Sequence, residues 1–228
     1  MPELANSSTV QHEKMRLELG QSVRLADGAP QQLVDVVIES SAKRVTHVVV
    51  QPRDHGENAR LVPVGLAEEG GGRDELSLRC TAKDLERFDL VHEFEVLHAG
   101  ERPKEDPKWD VGVEEIVVTP TYAPTAFGEY AGAGAGDSEV TISYDRVPKG
   151  EIELRRASSV YSSDGHHVGS LEGVVVGDND RLTEVFFQRG HLWWKREVAV
   201  PAAAISKFES DLVELSLKKD ELGRVSDE

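Results

Sequence analysis

Short runs of β-branched and aromatic residues, alternating with polar ones and broken by Gly, Pro, Asp or Asn, dominate the chain. "VVIES" (36–40) and "THVVV" (46–50) are of this kind, as are "GVVVG" (173–177) and "TEVFF" (183–187). Runs so short, rich in β formers and bounded by turn residues, predict strands. Helical signals are confined to two places. "TAKDLERF" (81–88) opens with the Thr-x-x-Asp spacing of a capping box, and "LKKDELG" (217–223) ends on a glycine suited to a helix C-terminus. Each follows a copy of "ELSL" (75–78 and 214–217), so a short helix is expected to close each of two similar units.

The similarity extends well beyond those four letters. Sliding the chain by 137 positions sets "LELGQSVRLADG" (17–28) on "LRRASSVYSSDG" (154–165), and "RVTHVVV" (44–50) on "RLTEVFF" (181–187), without a gap. Over 15–50 against 152–187, nine of thirty-six positions are identical, where unrelated sequences would give roughly two. "RLVPV" (60–64) then matches "VAVPA" (198–202) through Pro63 and Pro201, and "ELSL" recurs. Two copies of about 75 to 80 residues, each made of short strands, imply two compact, mostly antiparallel β-barrels in tandem, since barrels leave few open sheet edges.

Between the copies the pattern changes. "AGERPKEDPKWD" (99–110) and "TPTYAPTAFGEYAGAGAGD" (119–137) are rich in Pro, Gly and Ala and read as a partly flexible linker. Two islands within it, "VGVEEIVVTP" (111–120) and "SEVTISYDRVP" (138–148), alternate like strands and either pair with each other or extend a barrel edge. The expected organisation is a disordered tail at 1–11, a first barrel at 12–98, a linker with strand-like islands at 99–146, and a second barrel at 147–228.

Charge narrows the partners. With 42 acidic against 26 basic side chains the net charge is −16, which repels phosphate backbones, so direct nucleic-acid binding is not expected. No cationic start followed by an apolar run is present near the N-terminus, and no span is long enough to cross a membrane, which points to a cytoplasmic protein. The single cysteine, Cys80, forms no intramolecular disulfide and is expected to be buried.

"SSVYSSDGHHVGSLEGVVVGDNDRLTEVFFQRGHLWWKREVAVP" (158–201) resembles the PRC-barrel family: a polar strand, an Asp-Gly turn, a Val-Gly step, a strand, a hairpin, and a strand leading into a Val-Pro corner. The preceding "DRVPKGEIELRR" (145–156) is similar to the lead-in of tandem members. The resemblance implies mainly β architecture with two PRC-type barrels. Its functional implication is a non-enzymatic docking module that needs no cofactor, because fold alone does not name a reaction. A ribosome-associated factor docking through a ribosomal protein is the alternative, and a metal- or small-ligand-binding barrel a weaker one. An unidentified protein partner is expected, and homo-oligomers stay open.

Chemistry-bearing residues are few. In "SSDGHHVGS" (162–170) a metal reading would join His166 and His167 to Asp164 and His191. Adjacent strand residues point to opposite faces, however, and the first copy has Ala29 and Pro30 at the histidine positions, so the motif reads as a turn. Asp27-Gly28 and Asp164-Gly165 are expected turn residues, with Gly supplying positive φ, and Pro63 and Pro201 are expected to end strands at corners. "GHLWWKRE" (190–197) has binding character. His191, Trp193, Trp194, Lys195 and Arg196 combine aromatic anchors with local positive charge on an acidic protein, the composition of interface hot spots. The glycines of "AGAGAGD" lack the Lys-Ser/Thr of a phosphate loop, and no nucleophile, base or carboxylate pair stands in a catalytic spacing.

Overall fold

The computed structural model describes residues 14–53, 58–71, 75–97, 108–119, 139–190 and 196–222. The 1–11 tail and the glycine-rich part of the linker therefore lie outside the described residues. The first part of the chain forms β1 (Met15–Glu18), β2 (Ser22–Leu25), β3 (Pro30–Glu39), β4 (Arg44–Gln51), β5 (Arg60–Pro63), β6 (Ala67–Glu69), β7 (Glu75–Leu78) and the one-turn helix α1 (Ala82–Leu85). A middle group follows: β8 (His92–Leu97), β9 (Trp109–Thr119) and β10 (Glu139–Pro148). The last part repeats the first, with β11 (Ile152–Arg155), β12 (Ser159–Tyr161), β13 (His167–Val176), β14 (Leu182–Arg189), β15 (Arg196–Pro201), β16 (Ile205–Glu209) and β17 (Leu212–Leu215). No helix among the described residues is long and apolar enough to cross a membrane.

These strands build two seven-stranded sheets and a three-stranded one. In the first sheet the order is β5-β4-β3-β2-β7-β6, and in the second it is β15-β14-β13-β12-β17-β16. Most neighbours are antiparallel hairpins, but β2 with β7 and β12 with β17 run parallel. Nothing requires these pairs to be antiparallel, because some 50 residues separate their members and no tight turn joins them. Among the described residues no pairing joins β5 to β6 or β15 to β16, so each row is mainly β with one parallel pair and is not seen to close on itself. The islands of the linker pair with each other: β10 lies between β8 and β9.

The first strand of each copy leaves its own sheet. β1 pairs with β13 of the other copy, Leu17 opposite Val174, and β11 pairs with β3, Leu154 opposite Val36. The exchange is reciprocal, and Arg44 bridges Arg181, its own counterpart in the repeat, as expected where a pseudo-twofold axis passes. Leu17 and Leu154 are both fully buried within one continuous core that takes in both sheets. Burying a leucine side chain contributes about 1.5–3 kcal/mol, so each strand anchors the sheet it visits. At Gly173 the close approach of β1 demands glycine: an added Cβ would sit 2.1 Å from the Leu17 carbonyl oxygen.

The pairings also correct the alignment of the copies. Val23 faces Gln31, whereas its counterpart Val160 faces Gly169, so β3 and β13 correspond at an offset of 138, not 137. The extra residue is Val168, held in a bulge beyond His167, and the turn before Arg181 is one residue shorter in compensation. Two balanced slips hid each other in the gapless comparison. With them restored, Leu33, Val36 and Val37 match the identical Leu171, Val174 and Val175. The recurrent "ELSL" also deceives, because β7 corresponds to "LVEL" (212–215). A shift of two preserves the alternation of faces, so the wrong register still pointed to the right strand.

Short elements close each unit. Thr81 and Asp84 form the expected capping box, with the Asp84 amide donating to the Thr81 hydroxyl at 3.3 Å and the Thr81 amide donating to the Asp84 carboxylate at 3.2 Å. Lys218 replaces the threonine in the second copy and has no oxygen to accept, so half of the box survives: its amide donates to Glu221 at 2.7 Å. Residues 219–221 form a turn and Leu222 is helical, and the end of the stretch where the sequence suggested a helix lies outside the described residues. Cys80 is buried, as expected.

Candidate functional site

The Asp-Gly pairs are turns, with φ at +84° for Gly28 and +77° for Gly165. Their aspartates do more than shape the turn. The Asp27 carboxylate accepts from the Ala82 amide at 2.9 Å and the Ala29 amide at 3.2 Å, and Asp164 accepts from the Lys219 amide at 3.2 Å. Each ties its hairpin to the segment that follows β7 or β17. The Ala82 and Ala29 amides hold the Asp27 carboxyl below the ordinary range, and the Ser162 hydroxyl, aided by the Lys219 amide, does so for Asp164. Pro63 and Pro201 end β5 and β15 and lead into single 3-10 turns.

The histidines of the second turn part company. His166 lies 3.2 Å from Asp164, while His167 enters β13 and meets the Tyr161 ring edge-on at 5.4 Å. No group of three metal-ligating side chains occurs among the described residues. His191, Trp193, Trp194 and Lys195 lie outside the described residues, within the connection from β14 to β15. Arg196 is described: exposed, it opens β15 directly opposite Arg189, so the base of this hairpin carries two cations side by side.

Beside that hairpin, on the outer face of the second sheet, Arg16 from β1 lies 3.5 Å from the centroid of Phe186. Its guanidinium pairs with Glu197 at 2.7 Å, and Lys14 pairs with Glu184 at 2.7 Å. Charged side chains thus cover the apolar face. The equivalent face of the first sheet, Val37, Val49 and Leu61, is covered instead by Val91, Val147 and Trp109 at the base of the middle sheet. Its edge is taken as well: Leu61 donates to the Asp89 carbonyl at 3.0 Å, and Val91 donates to the Ala59 carbonyl at 3.0 Å. Comparison with known proteins brings no family to this geometry: no family model matches the chain, and no curated protein matches it.

Two polar features escaped the sequence reading. His47 Nδ1 lies 3.0 Å from the Thr46 hydroxyl and 3.5 Å from Glu151, whose carboxylate is 2.5 Å from that same hydroxyl. Burial pushes the His47 pKa below its usual value, against the opposing pull of Glu151 and Asp89. Gln31 is the other, a polar side chain on β3 only 7% exposed. Neither had a visible signal, because a single His or Gln in an alternating strand looks like a solvent-facing position.

Proposed function

We propose that the chain is a non-enzymatic interaction module of PRC-barrel type, and that the β14–β15 hairpin with its tryptophan pair is where it receives a protein partner. The observation that carries this reading is the contrast between the two outer edges. β5 is hydrogen-bonded along its edge by the chain's own residues 89–91, while β15, its counterpart, is the last strand of its row among the described residues. The stretch that the repeat sets against β15, 226–228, lies outside the described residues. An open edge offers backbone donors and acceptors to an incoming strand, and neighbouring pockets or aromatic anchors select the partner. Trp193, Trp194 and Arg196 supply the residue types that dominate interface energetics. A partner with an acidic surface fits the Lys195-Arg196 pair.

Quantitative affinity capture with the full chain tests the assignment. A Trp193→Ala/Trp194→Ala double variant is expected to lose specific partners at least tenfold relative to the unaltered chain, while Lys207→Ala, on β16, retains them. Equal recovery by the double variant would remove the hairpin from the account. Selective recovery of ribosomal proteins would place the module on the ribosome.

A further inference from the structure

A cavity of about 470 Å3 opens on the first unit, where the start of β5 meets α1 and the end of β4. Gln31, Pro52, Asn58, Arg60, Leu85 and Glu86 line it. Its volume suits a metabolite-sized molecule, since small-ligand sites run from about 300 to 1,000 Å3.

Gln31 is the unusual member. It is 93% buried, yet among the described residues its amide oxygen has no hydrogen-bond partner. A buried acceptor without a donor is costly, and buried polar side chains are nearly always satisfied by protein, water or ligand. At the equivalent position the second unit carries no side chain. Gly169 stands at the equivalent position, and even a Cβ there would come within 2.3 Å of the Gln188 carbonyl oxygen and 2.7 Å of the Phe187 ring. The first unit has Val50 where Phe187 stands, so the exchange of Gly for Gln accompanies a smaller neighbour. The side chain is thus a feature of the first copy, set beside the smaller Val50.

The charges on the lining select a class of ligand. Arg60 supplies one cation, and its Nη1 donates to the Phe88 carbonyl at 2.8 Å, leaving other N–H groups of the guanidinium for a ligand. Glu86 supplies one anion. A pure anion would match Arg60 and oppose Glu86, a pure cation the reverse, while a molecule bearing both charges matches the pair. We infer that this cavity binds a small zwitterion of the amino-acid class. Its ammonium donates to the Gln31 amide oxygen and the Glu86 carboxylate, its carboxylate takes the guanidinium of Arg60, and its side chain lies against Pro52 and Leu85. The site belongs to the first unit and is independent of the hairpin reading.

Titration of the 15N-labelled full chain with individual L-amino acids, followed by amide shifts, is the test. At about 10 mM, ten times a Kd of 1 mM, at least one is expected to give saturable shifts at Gln31, Arg60 and Leu85. Its N-acetyl and amide derivatives, each lacking one charge, are expected to bind at least tenfold more weakly. Gln31→Leu removes the unpaired acceptor without removing bulk, so it should fold and weaken binding at least tenfold. Glu86→Gln, an exposed change, should do the same if Arg60→Gln fails to fold. Absence of saturable shifts with every amino acid, or binding indifferent to Gln31→Leu and Glu86→Gln, would overturn the assignment.

Discussion

The two sheets share a strand order and an exchanged strand, and they differ in what covers the outside. On the first, Val37, Val49 and Leu61 lie under Val91, Val147 and Trp109, which arrive with the middle sheet. On the second, Val175 and Phe186 lie under Arg16, clamped by Glu197. The counterpart of Arg16 in the exchanged strand of the first sheet is Glu153, buried beside Arg155 at 3.2 Å. One backbone design therefore carries two coats. The apolar one is built for another part of the chain and the charged one for water.

Breaking the exchanged strand should have the largest effect. Gly173→Ala places a methyl group 2.1 Å from the Leu17 carbonyl oxygen and 2.4 Å from the Phe186 ring, where backbone on one side and a packed ring on the other can give little. A loss of about 3 kcal/mol or more is expected in urea unfolding, the upper range for overpacking. At the equivalent Asp35 a side chain already fits, and its carboxylate accepts from the Arg156 amide at 3.2 Å. Asp35→Ala, which removes hydrogen bonds but forces no overlap, should cost less, about 1–2 kcal/mol. Equal losses at the two positions would mean that β1 does not rest on Gly173.

A smaller effect should separate the units by pH. His47 stands where the second sheet has Glu184, which is paired with Lys14. The folded chain holds His47 at a pKa below 6.5, so the unfolded chain binds the proton more readily and stability falls as pH drops through that value. Unfolding free energies measured from about pH 7.5 down to about 5.5 should decline in the unaltered chain and decline less in His47→Gln. An unchanged slope would assign the titration elsewhere.

Much of this architecture was legible because it is local. Thr81 and Asp84 announce their capping box within four residues, the Asp-Gly pairs announce their turns, and the alternating islands around 111–148 announce strands, whose mutual pairing was one of the two arrangements left open. The repeat itself was visible through Leu17, Asp27, Gly28 and Arg44. What stayed hidden depends on contacts between distant residues. Nothing in "MRLE" or "IELR" says which of the two related strands, β3 or β13, it will join. The Val168 bulge was masked by a compensating slip, and the gapless comparison placed β13 one residue out of register. Nothing local marks Gln31 as buried, because its neighbours across the fold are distant in sequence.

Reciprocal exchange is the claim on which the comparison of the units depends, and one cross-linking measurement addresses it directly. β1 sets Arg16 opposite Val175, whereas the same strand paired within its own copy would set Arg16 opposite Val37. In a Cys80→Ser background, Arg16→Cys/Val175→Cys should oxidise to an intramolecular disulfide in the monomeric chain, because paired strand residues bring their Cα atoms within disulfide range. Arg16→Cys/Val37→Cys should remain reduced under the same conditions. The reverse pattern, with 16 joined to 37 and not to 175, would contradict the exchange and return each strand to its own sheet.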